Sequence, residues 1–334
     1  MNEPGANQTR RCFLVLGMHR SGTSALTGVM NSLGVDAPGD LLPASQSNRL
    51  GYFEAKEVVE LHEDLLASAG SGWADPRKFD ATDESLTKPY QEKLIAFTQG
   101  MEEQTFVLKD PRICRLLPMW LSILENVKTT PLLIVRNPLG VAASLASRNQ
   151  FPLGITFPLW LRHVLDAEYG TRGMDRAFVR YEALVADGRT QLHRLASQVR
   201  DFPHVSDTLA TIDRSEMHHD HSDNEVADCD GVSKIISEMA ESVLSCHDLL
   251  IGNPHDAQAM RALDDIRHRF DDLTEGLGQT IFEFAQHLSG LPALKASLQR
   301  LEGIESNLQR MEQTVSWRIT APLRKIGSTG PIGG

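Results

Sequence analysis

At 334 residues, with 44 acidic against 33 basic side chains and a formal charge of −11, the chain can bury one full α/β core and carry an appendage. Its charge has the wrong sign for a nucleic-acid surface, although a local basic pocket remains compatible with it. No run of about 18 apolar residues occurs, and four cysteines without paired spacing (Cys12, Cys114, Cys229, Cys246) offer neither a zinc motif nor a disulfide framework. Residues 1–11 are polar and lack the apolar centre of a signal peptide, so a disordered start and a cytoplasmic address are expected.

The first apolar run, Phe13 to Leu16, is short and rich in β-formers and reads as a buried strand. It enters Gly17 and Gly22 and then Ala25, Leu26, Val29, Met30 and Leu33 at helical spacing. Val35 to Leu50 reads as a loop over this junction, followed by an amphipathic helix carrying Val58, Val59, Leu61, Leu65 and Leu66. A loop with Trp73, a helix from about Pro89 to Met101, and a strand Phe106 to Leu108 ending in Lys109-Asp-Pro-Arg112 come next. Helix 113–125 precedes the strand Pro131 to Val135, which Arg136-Asn-Pro138 closes with proline in the first turn of another helix. A helix from Thr156 to Gly170, a strand Ala177 to Val179 and a helix reaching Val199 complete the alternation.

Short apolar strands alternating with helices predict an α/β fold over residues 12–205, a parallel sheet covered by helices. Ligands in such sheets bind beyond the carboxyl ends of the strands, where Gly17, Lys109, Arg136 and Arg180-Tyr181 fall. Beyond this domain, residues 206–231 form an acidic linker whose His218, His219 and His221 read as solvated loop rather than metal ligands. Residues 232–290 read as a helical extension. Leu294, Leu298, Leu301, Ile304, Leu308, Met311 and Val315 form an imperfect coiled-coil seam over 291–316, which either pairs copies of the chain or packs on the domain. A tail, 317–334, joins Trp317 to Arg318, Arg324 and Lys325, a pattern suited to peripheral contact with a membrane face.

Strand, glycine-bearing loop and helix place backbone N–H groups and a helix N-terminus around an anion. Ser21, Thr23 and Ser24 add hydroxyls, and Arg20 adds a planar cationic fork. A Walker loop requires Lys after its second glycine; here Thr23 follows Gly22 and the cation precedes it.

Gly17-Met-His-Arg-Ser-Gly-Thr-Ser24 resembles the phosphosulfate-binding loop of sulfotransferases, which take their sulfuryl group from 3′-phosphoadenosine 5′-phosphosulfate. The resemblance covers about residues 12–200 and implies the sulfotransferase fold and no metal. It implies that Gly17, His19, Arg20, Ser21, Gly22, Thr23 and Ser24 hold the donor, and that Arg136 with Ser144, two helical turns on, holds the 3′-phosphate. Arg148 and Tyr181 match nucleotide contacts of the protein-tyrosine branch. Lys109 matches a lysine facing the transferring group, and with Arg20 it would stabilise charge developing there. Glu54, in Gly51-Tyr-Phe-Glu54, matches the acidic base; Glu57 and His19 compete for that role. The Arg-Lys-Gly-x-x-Gly segment of the small-molecule branch is absent, which places the chain nearer the carbohydrate and protein-tyrosine branches. The tail resembles a closing motif of bacterial enzymes that build surface polysaccharide, so the expected acceptor is a saccharide, glycolipid or surface polysaccharide hydroxyl. Two other readings stand beside this one: an atypical P-loop kinase, and a non-catalytic nucleotide-binding module that assembles through 291–316.

Overall fold

A computed structural model of the protein describes residues 10–45, 51–205 and 234–313. The chain divides into two units, Met1–Ala285 and Gln286–Gly334. The linker histidines and the 317–334 tail lie outside the described residues.

The first unit is built on four strands, β1 (Arg11–Leu16), β2 (Thr105–Lys109), β3 (Lys128–Val135) and β4 (Ala177–Arg180), all parallel, in the order β2-β1-β3-β4. It is the α/β sheet that the apolar runs predict. β1 starts at Arg11, inside the stretch expected to be disordered, because Arg11 is held by Asp201 at 2.7 Å. Phe13 to Leu16 are fully buried, as a central strand covered on both faces requires. Side chains alternate between two cores. Cys12, Leu14, Leu16, Phe106, Leu108 and Leu133 face one core. There they meet α2 (Lys56–Ser68), α3 (Glu84–Gly100), α4 (Ile113–Ile123) and α6 (Leu153–Gly170). Phe13, Val15, Val107, Leu132 and Ile134 face the other, against α1 (Thr23–Ser32), α7 (Tyr181–Ala186) and α8 (Gly188–Gln198).

The chain passes from β1 outward to β2, returns across β1 to β3, and continues outward to β4. Strand order therefore reverses between β1 and β3, and the crevice beyond their carboxyl ends is where such sheets bind ligands. β1 delivers Gly17 onward to this crevice, and β3 delivers Arg136 and helix α5 (Pro138–Asn149). Asn137 caps α5 by accepting from the Leu139 N–H at 2.9 Å, with Pro138 at the first helical position.

Two elements depart from the sequence reading. Helix α3 begins at Glu84 rather than near Pro89, because Asp83 caps it by accepting from the Ser85 N–H at 3.0 Å. The helix expected to run unbroken to Val199 is two, divided at Asp187, whose carboxylate accepts from the Thr190 N–H at 3.1 Å and opens α8.

Helix α9 spans Lys234–Ile251 and helix α10 spans Ala257–Gln313, continuous through Gly303. Within the first unit α10 buries Leu263, Ile266, Phe270, Thr274, Phe282 and Ala285. Charged contacts fix it to α6 and the turn that follows: Arg162 meets Asp271 at 2.6 Å and Arg172, just beyond α6, meets Asp264 at 2.9 Å. In the second unit the described structure is the remainder of this helix from Gln286. No helix among the described residues is long and apolar enough to cross a membrane.

Candidate active site

The loop after β1 turns sharply enough to place two residues in the left-handed region, Arg20 at φ 69° and Gly22 at φ 90°. A side chain at Gly22 would be doubly excluded. Its Cβ would stand 2.1 Å from Tyr181 Cδ2, so the ring at the start of α7 lies directly against the loop backbone. Gly17 is equally confined, since a Cβ there would meet the Ile134 carbonyl oxygen at 2.8 Å. Thr23 opens α1, which aims its N-terminal N–H groups at the same crevice.

Arg136, Ser144 and Tyr181, all distant from the loop in sequence, close one side of it. Arg20 Nε donates to Ser144 Oγ at 2.8 Å, and Arg136 Nη1 donates to the Arg20 carbonyl oxygen at 2.8 Å. The Arg136 guanidinium also lies 4.6 Å from the centre of the Tyr181 ring. Arg20, Arg136, Ser144 and Tyr181, drawn from four separate segments, thus form one connected wall.

On the other side lies a buried charge pair. Lys109, at the end of β2, donates through Nζ to Glu54 Oε1 at 2.5 Å, the Tyr52 carbonyl oxygen at 2.7 Å and Ser24 Oγ at 3.1 Å. The lysine and glutamate side chains are 2% and 7% exposed, so each neutralises a partner that water cannot. Burial raises the Glu54 pKa; Lys109 opposes that rise and Asp110 adds to it. Glu57, in contrast, is exposed in the first turn of α2.

Beneath this pair runs a network whose His62 and Trp120 the sequence reading does not contain, although Arg112 beside Asp110 is the structural pairing that the Lys109-Asp-Pro-Arg112 segment allows. Trp120 Nε1 donates to His62 Nε2 at 2.8 Å, which leaves the His62 proton on Nδ1, directed at Asp110 Oδ2 at 2.8 Å. Asp110 also accepts from the Arg112 backbone N–H and from its guanidinium, both at 2.9 Å. Burial alone would raise the Asp110 pKa, but the Arg112 charge and the His62 hydrogen bond hold it well below the usual carboxylate range. Arg112 in turn pairs with Glu63 and reaches to 3.9 Å from Glu54. The only trace of its His62 and Trp120 members in the sequence is a histidine on the apolar face of α2. Replacing Trp120 by Phe would leave His62 Nε2 buried without a donor. A loss of roughly 1–3 kcal/mol in urea unfolding is expected.

His19 leans on Trp73, with ring centroids 4.5 Å apart, and its Nε2 is buried without a hydrogen-bond partner among the described residues. Burial, followed by the nearby Arg112 charge, holds its pKa well below the ordinary histidine value, so the ring is neutral. Arg148 lies over the other ring of this group, 5.8 Å from the Trp73 centroid, and donates to Asn149 Oδ1 at 2.7 Å. The loop residue Ser21 is 1% exposed, and its Oγ has no hydrogen-bond partner among the described residues. Among the described residues no cluster of His, Cys, Asp or Glu is arranged to hold a metal ion.

Among the solved structures similar to this chain are two sulfotransferase domains. The sulfotransferase domain from the curacin biosynthetic pathway is 19% identical over 57% of this chain and 74% of its own, with a TM-score of 0.36. The sulfotransferase domain from the Synechococcus PCC 7002 olefin synthase is 18% identical over 73% of this chain and 98% of its own, with a TM-score of 0.39. No family model and no curated protein matches the sequence.

Proposed function

We propose that the protein is a sulfotransferase that moves a sulfuryl group from 3′-phosphoadenosine 5′-phosphosulfate to a hydroxyl acceptor. The observation that carries this reading is the meeting of Lys109 with Ser24 and Glu54. One cation touches both a hydroxyl of the anion-binding loop and a buried carboxylate. The residues fit the donor: the loop backbone is open only to glycine at Gly22, Ser21 Oγ is an orphaned buried polar atom, and Arg20 and Arg136 line one wall. The donor, when bound, supplies an activated sulfuryl group on a phosphate leaving group. Arg136, Ser144 and Tyr181 would hold the nucleotide through its 3′-phosphate, while Arg20 and Ser21 to Ser24 would hold the phosphosulfate. Lys109 would stabilise negative charge developing on the transferring and leaving oxygens. Glu54 would accept the acceptor hydroxyl's proton as the hydroxyl oxygen forms the new bond to sulfur and the bond from sulfur to the bridging phosphate oxygen breaks, that oxygen leaving on 3′-phosphoadenosine 5′-phosphate. A saccharide acceptor rests on the resemblance of the 317–334 tail.

Arg136→Ala tests the nucleotide wall. Calorimetric titration with 3′-phosphoadenosine 5′-phosphate is expected to show an affinity loss of about 100-fold, whereas adenosine 5′-phosphate should be affected much less. Equal losses for both would remove Arg136 from the 3′-phosphate. The pH dependence follows from Glu54. It must be ionised to take a proton, and burial raises its pKa, so activity is lost as pH falls through a value above that of an exposed glutamate. The acid limb of kcat/KM is therefore expected to lie at higher pH than that of an exposed glutamate. An acid limb at or below the exposed-glutamate position would contradict it.

A further inference from the structure

Glu54 gives Oε1 to Lys109 at 2.5 Å, while its Oε2 accepts no hydrogen bond among the described residues and faces the Arg112 guanidinium at 3.9 Å. The charges of Arg112 and Arg148 both act on His19, and those of Arg112 and Glu54 both act on Arg148, which gathers these four groups into one neighbourhood. Arg112 is already taken up by Asp110 and Glu63. Arg148 is not. Its Nε donates to Asn149 Oδ1 at 2.7 Å and its guanidinium lies 5.8 Å from the Trp73 ring centre. No carboxylate pairs with it among the described residues, and Nη1 and Nη2 donate to none of them. Burial, followed by the like charge of Arg20, disfavours this cation, and the Arg112 charge adds to the effect. A half-buried fork of N–H donors between two like charges is matched by an incoming anion.

The groups beside Arg148 are polar at their edges. Trp73 is partly exposed, and its indole N–H has no hydrogen-bond partner among the described residues. His19 Nε2 is buried and likewise unpartnered. The loop that carries Trp73 is clamped by α4, α6 and α10. Arg115 donates to the Gly72 carbonyl oxygen and, at 3.2 Å, to Ser71 Oγ; Arg162 Nε donates to the Pro76 carbonyl oxygen at 2.8 Å. A Cβ at Gly72 would meet Phe282 at 3.2 Å, so the loop lies directly on α10. The indole is thus fixed before any acceptor arrives, as a recognition surface requires. An apolar alcohol would cover these N–H and imidazole edges and leave them unpaired. A sugar ring offers them hydroxyls, and an acidic sugar adds the anion that Arg148 lacks.

We infer that the acceptor is an anionic saccharide whose carboxylate or sulfate ester docks on Arg148 beside Trp73, while its reacting hydroxyl meets Glu54 Oε2. The inference rests on the sulfotransferase reading and adds to it the charge of the acceptor and the residue that recognises it. The sulfotransferase resemblance gives Arg148 to the nucleotide, yet no hydrogen bond joins it to Arg20, Arg136, Ser144 or Tyr181.

Calorimetry tests this in two steps. The chain is first saturated with 3′-phosphoadenosine 5′-phosphate; a wild-type chain that takes up none ends the sulfotransferase reading and this inference with it. The saturated chain is then titrated with a tetrasaccharide of alternating glucuronic acid and N-acetylglucosamine, with its carboxyl-reduced form, and with the reduced form carrying a sulfate ester. At least one charged form is expected to bind about tenfold or more tightly than the neutral form, and the arm that gains identifies the anion. Arg148→Gln should erase that difference and Arg148→Lys should keep part of it, while both variants hold the nucleotide within a few-fold of wild type. Equal affinity for charged and neutral forms, binding of none of the three, or a nucleotide affinity lost in Arg148→Gln would each overturn the inference while leaving the sulfotransferase reading standing.

Discussion

Glu54→Gln is expected to lower kcat by about 10²–10⁴-fold while leaving nucleotide affinity within a few-fold of the parent, since the carboxylate is the proposed proton acceptor and touches no nucleotide residue. The same substitution should also destabilise the fold. Lys109 is 2% exposed, and without its partner it becomes an uncompensated buried charge, at a cost on the order of 3–5 kcal/mol. Lys109→Met strands Glu54 in the same way. The double variant Glu54→Gln/Lys109→Met removes both charges, so its thermal midpoint should rise above that of either single variant while turnover stays lost. This cycle separates chemistry from stability. Full turnover in Glu54→Gln would move the base elsewhere, and a double variant no more stable than the singles would mean the pair is not energetically coupled.

Gly22→Ala is expected to be the most damaging single-methyl change in the loop. The residue sits at φ 90°, where an alanine is strained by about 1–2 kcal/mol, and the new Cβ would fall 2.1 Å from the Tyr181 ring. Tyr181 must then move, and with it the ring on which Arg136 rests. Nucleotide affinity should fall by about 100-fold or more, measured by calorimetry. Gly22→Ala combined with Tyr181→Ala relieves the clash but leaves the backbone strain and empties a buried core position, so neither stability nor nucleotide binding should recover. Wild-type affinity in Gly22→Ala would show that the ring and loop are not packed as described.

The sheet was legible in the sequence because its strands are buried on both faces. Phe13 to Leu16 and Leu132 to Val135 could only be interior strands, and the polar residues that follow them were bound to gather at one edge. The glycine at position 22 marked its own tight turn. The contacts inside the site were less legible, because they join distant segments. Arg20 meets Ser144 across 124 positions, and Lys109 meets Glu54 across 55. The His62–Asp110–Trp120 network left almost no trace, since a histidine on an apolar helical face reads as one more core position until Trp120 fixes its tautomer. Helix ends were missed where a side-chain cap decided them, as at Asp83 and Asp187.

The most direct test of the proposed function is a calorimetric titration of the wild-type chain with 3′-phosphoadenosine 5′-phosphate, run beside ADP and ATP with magnesium. The loop with its cation at Arg20, the wall of Arg136, Ser144 and Tyr181, and the Lys109–Glu54 pair predict clear preference for the 3′-phosphorylated nucleotide. Preference for ATP with magnesium, or no binding of either, would contradict it.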